Sequence, residues 1–113
     1  MIIEDKVMLK KRIYRKKDKE YSMYFVSFSV KYSDILSHFK ELHNVELVTS
    51  KSKIVLPKVN LFKYSYYMDK KTKQKIPQYS FVIPINVAEE LEKNGEKKLK
   101  VLVEVPDLRS GPS

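Results

Sequence analysis

The chain contains no cysteine and no tryptophan, and only two glycines among 113 residues. Without cysteine there are no disulfides, thiolate metal sites or cysteine nucleophiles. Two glycines leave no glycine-rich loop to cradle a phosphate. No run of about 20 apolar residues occurs, so no membrane-spanning helix is expected. The start, Met1-Ile-Ile-Glu-Asp-Lys6, lacks the basic-then-apolar order of a secretory signal. Together these absences fit an intracellular, cytoplasmic protein.

Charge of one sign is in excess. Lys and Arg number 23 against 14 Asp and Glu, a formal net charge of +9. Such a balance suits a polyanionic partner, nucleic acid first and an anionic membrane surface second. A Lys-rich proteome of a heat-adapted or archaeal source explains part of the lysine content. The surplus is unevenly placed, however. From Lys6 to Lys19 there are eight basic residues and a single acid, Asp18. Asp69-Lys-Lys-Thr-Lys-Gln-Lys75 forms a second basic turn.

The length favours one domain, and 42% hydrophobic residues supply a small core. Residues 1–8, with Ile2, Ile3, Val7 and Met8, read as an edge strand, and Leu9 to Val30 as a β-hairpin turning near Lys17-Asp18-Lys19-Glu20. Ser33 is the expected N-cap of a helix carrying Ile35, Phe39 and Leu42, ended by Asn44. Val45 to Thr49 and Ile54 to Leu56 read as strands, with Pro57 closing the unit. Leu61 to Tyr67 starts a further strand. Phe81 to Ile85 is apolar, with Pro84 where that strand leaves the sheet. Asn86 is the expected N-cap of a helix with Val87, Ala88 and Leu91 on one face, and Gly95 supplies the left-handed stop. Leu99, Val101, Val103 and Val105 then alternate along a last strand. The low-hydrophobicity tail, residues 107–113, is expected to be disordered or a remnant of expression cloning.

An offset of 53 lays Leu9–Val30 on Phe62–Ile83 without a gap. Lys10/Lys63, Tyr14/Tyr67, Lys17/Lys70, Ser27/Ser80 and Phe28/Phe81 are then identical. With a small adjustment Ile35 and Phe39 fall on Val87 and Leu91, and Val45 and Leu47 on Leu99 and Val101. Each half reads hairpin, helix, strand. The expected halves are 1–57 and 58–106, packed as one domain. The fold class expected is mainly β (α+β), with two short helices and a pseudo-two-fold.

Ile83-Pro84, the helix Val87 to Leu91, Gly95, and the lysine-rich approach Lys97 to Val105 resemble the SpoVT/AbrB-like swapped-hairpin family of small DNA-binding proteins. Asn44 to Pro57 is similar to the closing hairpin of such a unit. The resemblance implies a β-barrel of hairpins, either a homodimer with interleaved hairpins or, here, two half-domains in one chain that copy the two-chain barrel. It also implies that basic residues of the first hairpin and adjoining loops meet DNA, with Arg12 and Arg15 foremost.

The residues themselves give candidate DNA contacts at Lys10, Lys11, Arg12, Arg15, Lys16, Lys17 and Lys19 in one hairpin. Lys63, Lys70, Lys71, Lys73 and Lys75 are the candidates in the other. A two-stranded ribbon fits the major groove, where arginine pairs bidentately with guanine. Lysine chiefly binds phosphate. The second hairpin has no arginine, so base reading is expected from the first. The bland explanation of a charged edge strand is protection against edge-to-edge pairing. Eight tyrosines interleaved with lysine allow stacking on single-stranded DNA or RNA bases, against ordinary cross-strand packing. His38 and His43 lie five apart, the wrong spacing for two ligands on one helical face. No Ser/His/Asp set or carboxylate pair emerges, so neither an enzyme nor a cofactor is expected. The leading expectation is a duplex-DNA-binding transcriptional regulator or antitoxin-like factor, nucleoid-associated when bound. The alternative from another class is a viral or plasmid protein-interaction module with a basic docking face.

Overall fold

The computed structural model describes residues 1–106, the Ser65 side chain excepted; the expected disordered tail at 107–113 lies outside the described residues. Seven strands run Ile2–Met8 (β1), Lys10–Lys16 (β2), Lys19–Ser27 (β3), Glu41–Val48 (β4), Lys53–Met68 (β5), Lys75–Ile83 (β6) and Lys98–Glu104 (β7). Two short helices, Ser33–Leu36 (α1) and Ile85–Lys93 (α2), follow β3 and β6. The fold is mainly β, as the apolar alternation implies.

The strands form one antiparallel sheet in the order β1-β7-β4-β5-β6-β3-β2. Its two ends, β1 and β2, are separated in the chain by Leu9 alone. The sheet curls into a half-barrel that brings β1 beside the end of β3. Leu9 N–H donates to the Lys97 carbonyl at 2.7 Å. Ser29 N–H donates to Asp5 Oδ2 at 2.6 Å, and the Tyr32 hydroxyl to the Glu4 carbonyl at 2.7 Å. The core fills the inside of the curl. Ile3, Val26, Phe28, Leu36, Val45, Leu47, Phe81, Ala88 and Val101 are fully buried there.

The strand pairing has a local two-fold. β3 pairs with β6 so that Ser27 lies opposite Ser80, its own partner at the offset of 53. β4 pairs with β7 so that Leu47 lies opposite Val101, again a matched pair. One half supplies β1, β2, β3, α1 and β4; the other supplies β5, β6, α2 and β7. The long β5 corresponds to β1 and β2 together, which are separate strands in the first half.

Several local expectations change. Pro57 does not end a strand but sits exposed inside β5, so the line drawn at residue 57 falls within that strand. It lies across from Asn44, whose left-handed φ of 52° interrupts the β4–β5 ladder. The first helix stops at Leu36 rather than Asn44, because Leu42 is buried as a strand residue opposite Val59. Tertiary pairing overrides the helical stripe there. Ser33 is not the N-cap; its hydroxyl donates to the Pro77 carbonyl at 2.6 Å. Pro84, not Asn86, precedes α2. Gly95 does end it, at φ 71°. Glu96 N–H reaches the Leu91 carbonyl at 2.9 Å and Gly95 N–H the Glu92 carbonyl at 3.0 Å, a Schellman stop.

Candidate nucleic-acid interface

All twelve basic residues singled out above are exposed. The first hairpin, β2 with β3, ends the sheet, so β2 pairs on one side only and every one of its residues is exposed. Lys16 pairs with Lys19, leaving Lys17 and Asp18 as a two-residue turn with φ of 53° and 64°. Two successive left-handed residues make the I′ geometry that matches strand twist.

Side chains alternate across a strand, and residues in register share a face. Lys10, Arg12, Tyr14 and Lys16 therefore lie on one face with Phe25, Met23, Tyr21 and Lys19. That face points away from the core, because Tyr24 and Val26 of β3, and Phe28 just after it, are the core residues. Lys11 and Arg15 lie on the opposite face. The Lys11 ammonium sits 5.4 Å from the Tyr24 ring centroid. A hydrogen bond with the Tyr24 side chain raises its pKa above the ordinary lysine value. Arg15 pairs with Glu20 at 3.9 Å with both side chains well exposed, a contact worth little in stability. Arg12 and Arg15 thus face opposite sides and do not form one reading head.

The second hairpin joins the C-terminal part of β5 to β6. Lys63 lies on β5 opposite Tyr79, and Lys75 opens β6 opposite Met68. Lys70, Lys71 and Lys73 lie in the loop between. Asp69 organises that loop: its Oδ1 accepts from Lys71 N–H at 2.9 Å and its carbonyl from Lys73 N–H at 2.7 Å. Lys73 is left-handed, φ 57°.

The two basic hairpins are not adjacent. β3 and β6 run antiparallel, so the tips point to opposite ends. At ~3.3 Å per residue, Lys19 to Ser27 and Ser80 to Lys75 together span roughly 43 Å, close to the 49 Å long axis. The tip lysines of the sequence set therefore form two patches, one at each end, while Lys10 and Lys63 lie nearer the middle and Lys11 and Arg15 on the opposite face of the first hairpin.

Between the two patches lies a cluster that the sequence reading did not single out. Phe25 is only 1% exposed yet stands outside the core. It packs on Tyr64 and Phe62, with ring centroids 4.5 and 6.2 Å away. Lys10 Nζ lies 5.9 Å from the centroids of both Phe25 and Tyr64 and 3.5 Å from Ser27 Oγ. Ser27 and Ser80 share a buried hydrogen bond of 2.7 Å. The signal was present in Tyr21–Val30, which is apolar at both parities: a strand with two apolar faces has something packed on each.

The histidines are not brought together. His38 is exposed after α1; His43 is exposed on β4, with Nε2 3.6 Å from Glu41. Lys58, 2.9 Å from Glu41, holds that carboxyl below the ordinary glutamate range. Among the described residues no cluster of three or more His, Asp or Glu is placed to hold a metal. Among those residues, too, no helix is long and apolar enough to cross a membrane. No family model matches the sequence, and neither a curated protein nor a solved structure matches the chain.

Proposed function

We propose that the chain binds duplex DNA through its two basic hairpins, as a transcriptional regulator or antitoxin-like factor. One observation carries this reading. Two lysine-rich hairpins, related by the local two-fold, stand at the ends of one face in a protein of net charge +9. Their reach of roughly 43 Å exceeds one turn of B-DNA, ~34 Å. Both arms then meet the backbone of one duplex at separate groove crossings. Lys16, Lys17, Lys19, Lys70, Lys71 and Lys73 at the tips supply phosphate contacts. Arg12, on the outward face, is the base-reading residue; Arg15, on the other side of the ribbon, adds positive charge. The resemblance to AbrB-like proteins supports the same assignment of the first hairpin.

The test is a titration with mixed-sequence duplex at two salt concentrations, beside the Arg12→Ala/Arg15→Ala double variant. Wild type is expected to bind tightly at low salt, to weaken steeply as salt rises, and to exceed the variant at each salt. Absence of binding at low salt would overturn the reading and leave the basic face as a docking surface for an acidic protein.

A further inference from the structure

The outward face of β2, β3, β6 and the C-terminal part of β5 is an unusual surface for a cationic protein. Tyr14, Tyr21, Tyr64 and Tyr67 are 45%, 42%, 42% and 50% exposed. Tyr14 and Tyr21 face each other across the hairpin, stacked at 5.5 Å with ring planes 21° apart. Tyr67 lies opposite Ile76 in the second hairpin, at the position matching Tyr14 under the repeat offset. Ile76, Gln78 and Ser80 alternate onto one side of β6, so Tyr67 belongs to the same face. The Phe25–Tyr64 pair stands near the middle. Rings are thus set at both ends and at the centre of a face roughly 33 Å long from Tyr21 to Ile76.

The charges on that face are of one sign. Its strand positions carry Lys10, Arg12, Lys16 and Lys19; Glu20, the one acid on these strands, points to the opposite side with Arg15. Exposed rings interleaved with cations and no carboxylate match a ligand that presents flat π-faces along a negatively charged backbone. A duplex does not present them, because its bases stack on one another and show only their edges in the grooves. Unpaired bases do, and base–aromatic stacking tolerates any sequence.

We propose that this face is a stacking platform for the unpaired bases of single-stranded nucleic acid, with Tyr14, Tyr21, Tyr64 and Tyr67 as the stacking rings. Lys10, Arg12, Lys16 and Lys19 hold the phosphates between them. The proposal shares its cations with the duplex reading and goes beyond it in assigning a role to the rings. The Lys10 ammonium is already placed at the centre of the face by Phe25 and Tyr64.

The experiment is fluorescence anisotropy with labelled oligo(dT) and, in parallel, a labelled blunt duplex at the same salt. The proteins are wild type, Tyr14→Ala, Tyr64→Ala and Tyr67→Ala, each beside its Tyr→Phe counterpart. Each alanine variant is expected to bind oligo(dT) roughly 5- to 150-fold more weakly, the loss of about one stack. Phenylalanine should restore it, and duplex affinity should hardly move. The chain has no tryptophan, so tyrosine emission reads the rings directly and should be quenched by oligo(dT). Alanine variants that bind oligo(dT) like wild type, or that lose duplex and single strand equally, would overturn the platform. With duplex binding intact in the first case, only the platform falls. Binding of neither nucleic acid at low salt would defeat both readings.

Discussion

The two hairpins are copies in topology and unlike in detail. Close to the axis they agree: Ser27 faces Ser80, and Phe28 and Phe81 pack at 5.6 Å. Away from it they part. The first turns in two residues and keeps one register from Lys10 to Lys19. The second has a register shift between Lys63 and Ser65 and a longer loop held by Asp69. The first is a free edge; the second shares its long strand β5 with β4. The difference follows burial. At the axis each copy packs against the other, so a change on one side must be accommodated on its partner. At the tips each hairpin meets only water, and each is free to vary.

The largest effect should come from breaking the agreement. Phe28 and Phe81 are both 0% exposed and belong to one core. Phe28→Ala and Phe81→Ala should each cost about 3–5 kcal/mol, read as a fall in the urea midpoint. Similar costs for the two support equivalent places beside an axis. A mild effect at one alone would mean that the halves do not share the core evenly.

Next comes the serine pair. Ser27→Ala leaves the Ser80 hydroxyl, 0% exposed, without its partner at 2.7 Å. An orphaned buried hydroxyl costs about 1–3 kcal/mol, whereas removing both partners is nearly neutral. The double variant Ser27→Ala/Ser80→Ala should therefore be more stable than the sum of the single changes implies. Strict additivity would show that the two hydroxyls do not bond across the axis.

The same comparison explains what the sequence disclosed. Ser27/Ser80 and Phe28/Phe81 are matched positions in the sequence, and the structure sets each pair together. β4 and β7 were readable from alternation, since one face of each lines the core. The first helix was overextended because Ile35, Phe39 and Leu42 also satisfy a helical period. Only the pairing of Leu42 with Val59, a long-range fact, makes it a strand residue. Pro57 misled for the same reason: whether a missing N–H ends a strand depends on the neighbouring ladder, here already interrupted at Asn44. As for the interface, the basic residues were visible as charge runs. Their separation into two patches was not, because it depends on β3 and β6 running antiparallel.

The third prediction sharpens the contrast in chemistry. Of the two hairpins only the first carries arginine, so sequence reading and backbone grip should separate. Arg12→Lys should lower discrimination between duplex sequences by about 1–3 kcal/mol per base pair read, with the salt slope kept. Lys70→Gln/Lys71→Gln/Lys73→Gln should lower the slope by roughly 2.7, at ~0.9 per phosphate contact, with the ranking of sequences kept. Binding by each variant to a panel of duplexes over a salt series separates the two. An unchanged slope in the triple variant would remove the second hairpin from the interface.

The smallest effect lies at the tips. Lys17 and Asp18 hold φ of 53° and 64°, a conformation that Gly adopts freely, that Asn and Asp tolerate and that costs a lysine most. Lys17→Asn/Asp18→Gly supplies the pair that an I′ turn favours and should stabilise the protein by about 0.4–1 kcal/mol. Asp69→Ala should do the reverse in the second hairpin, because the Lys71 amide loses a charged acceptor at 2.9 Å. The first tip is set by backbone conformation alone, the second by one side chain. Denaturant midpoints with unchanged slopes would show it. If the Asn-Gly variant gains nothing, the first turn does not hold both residues left-handed in solution. The two hairpins would then differ in length but not in what shapes their tips.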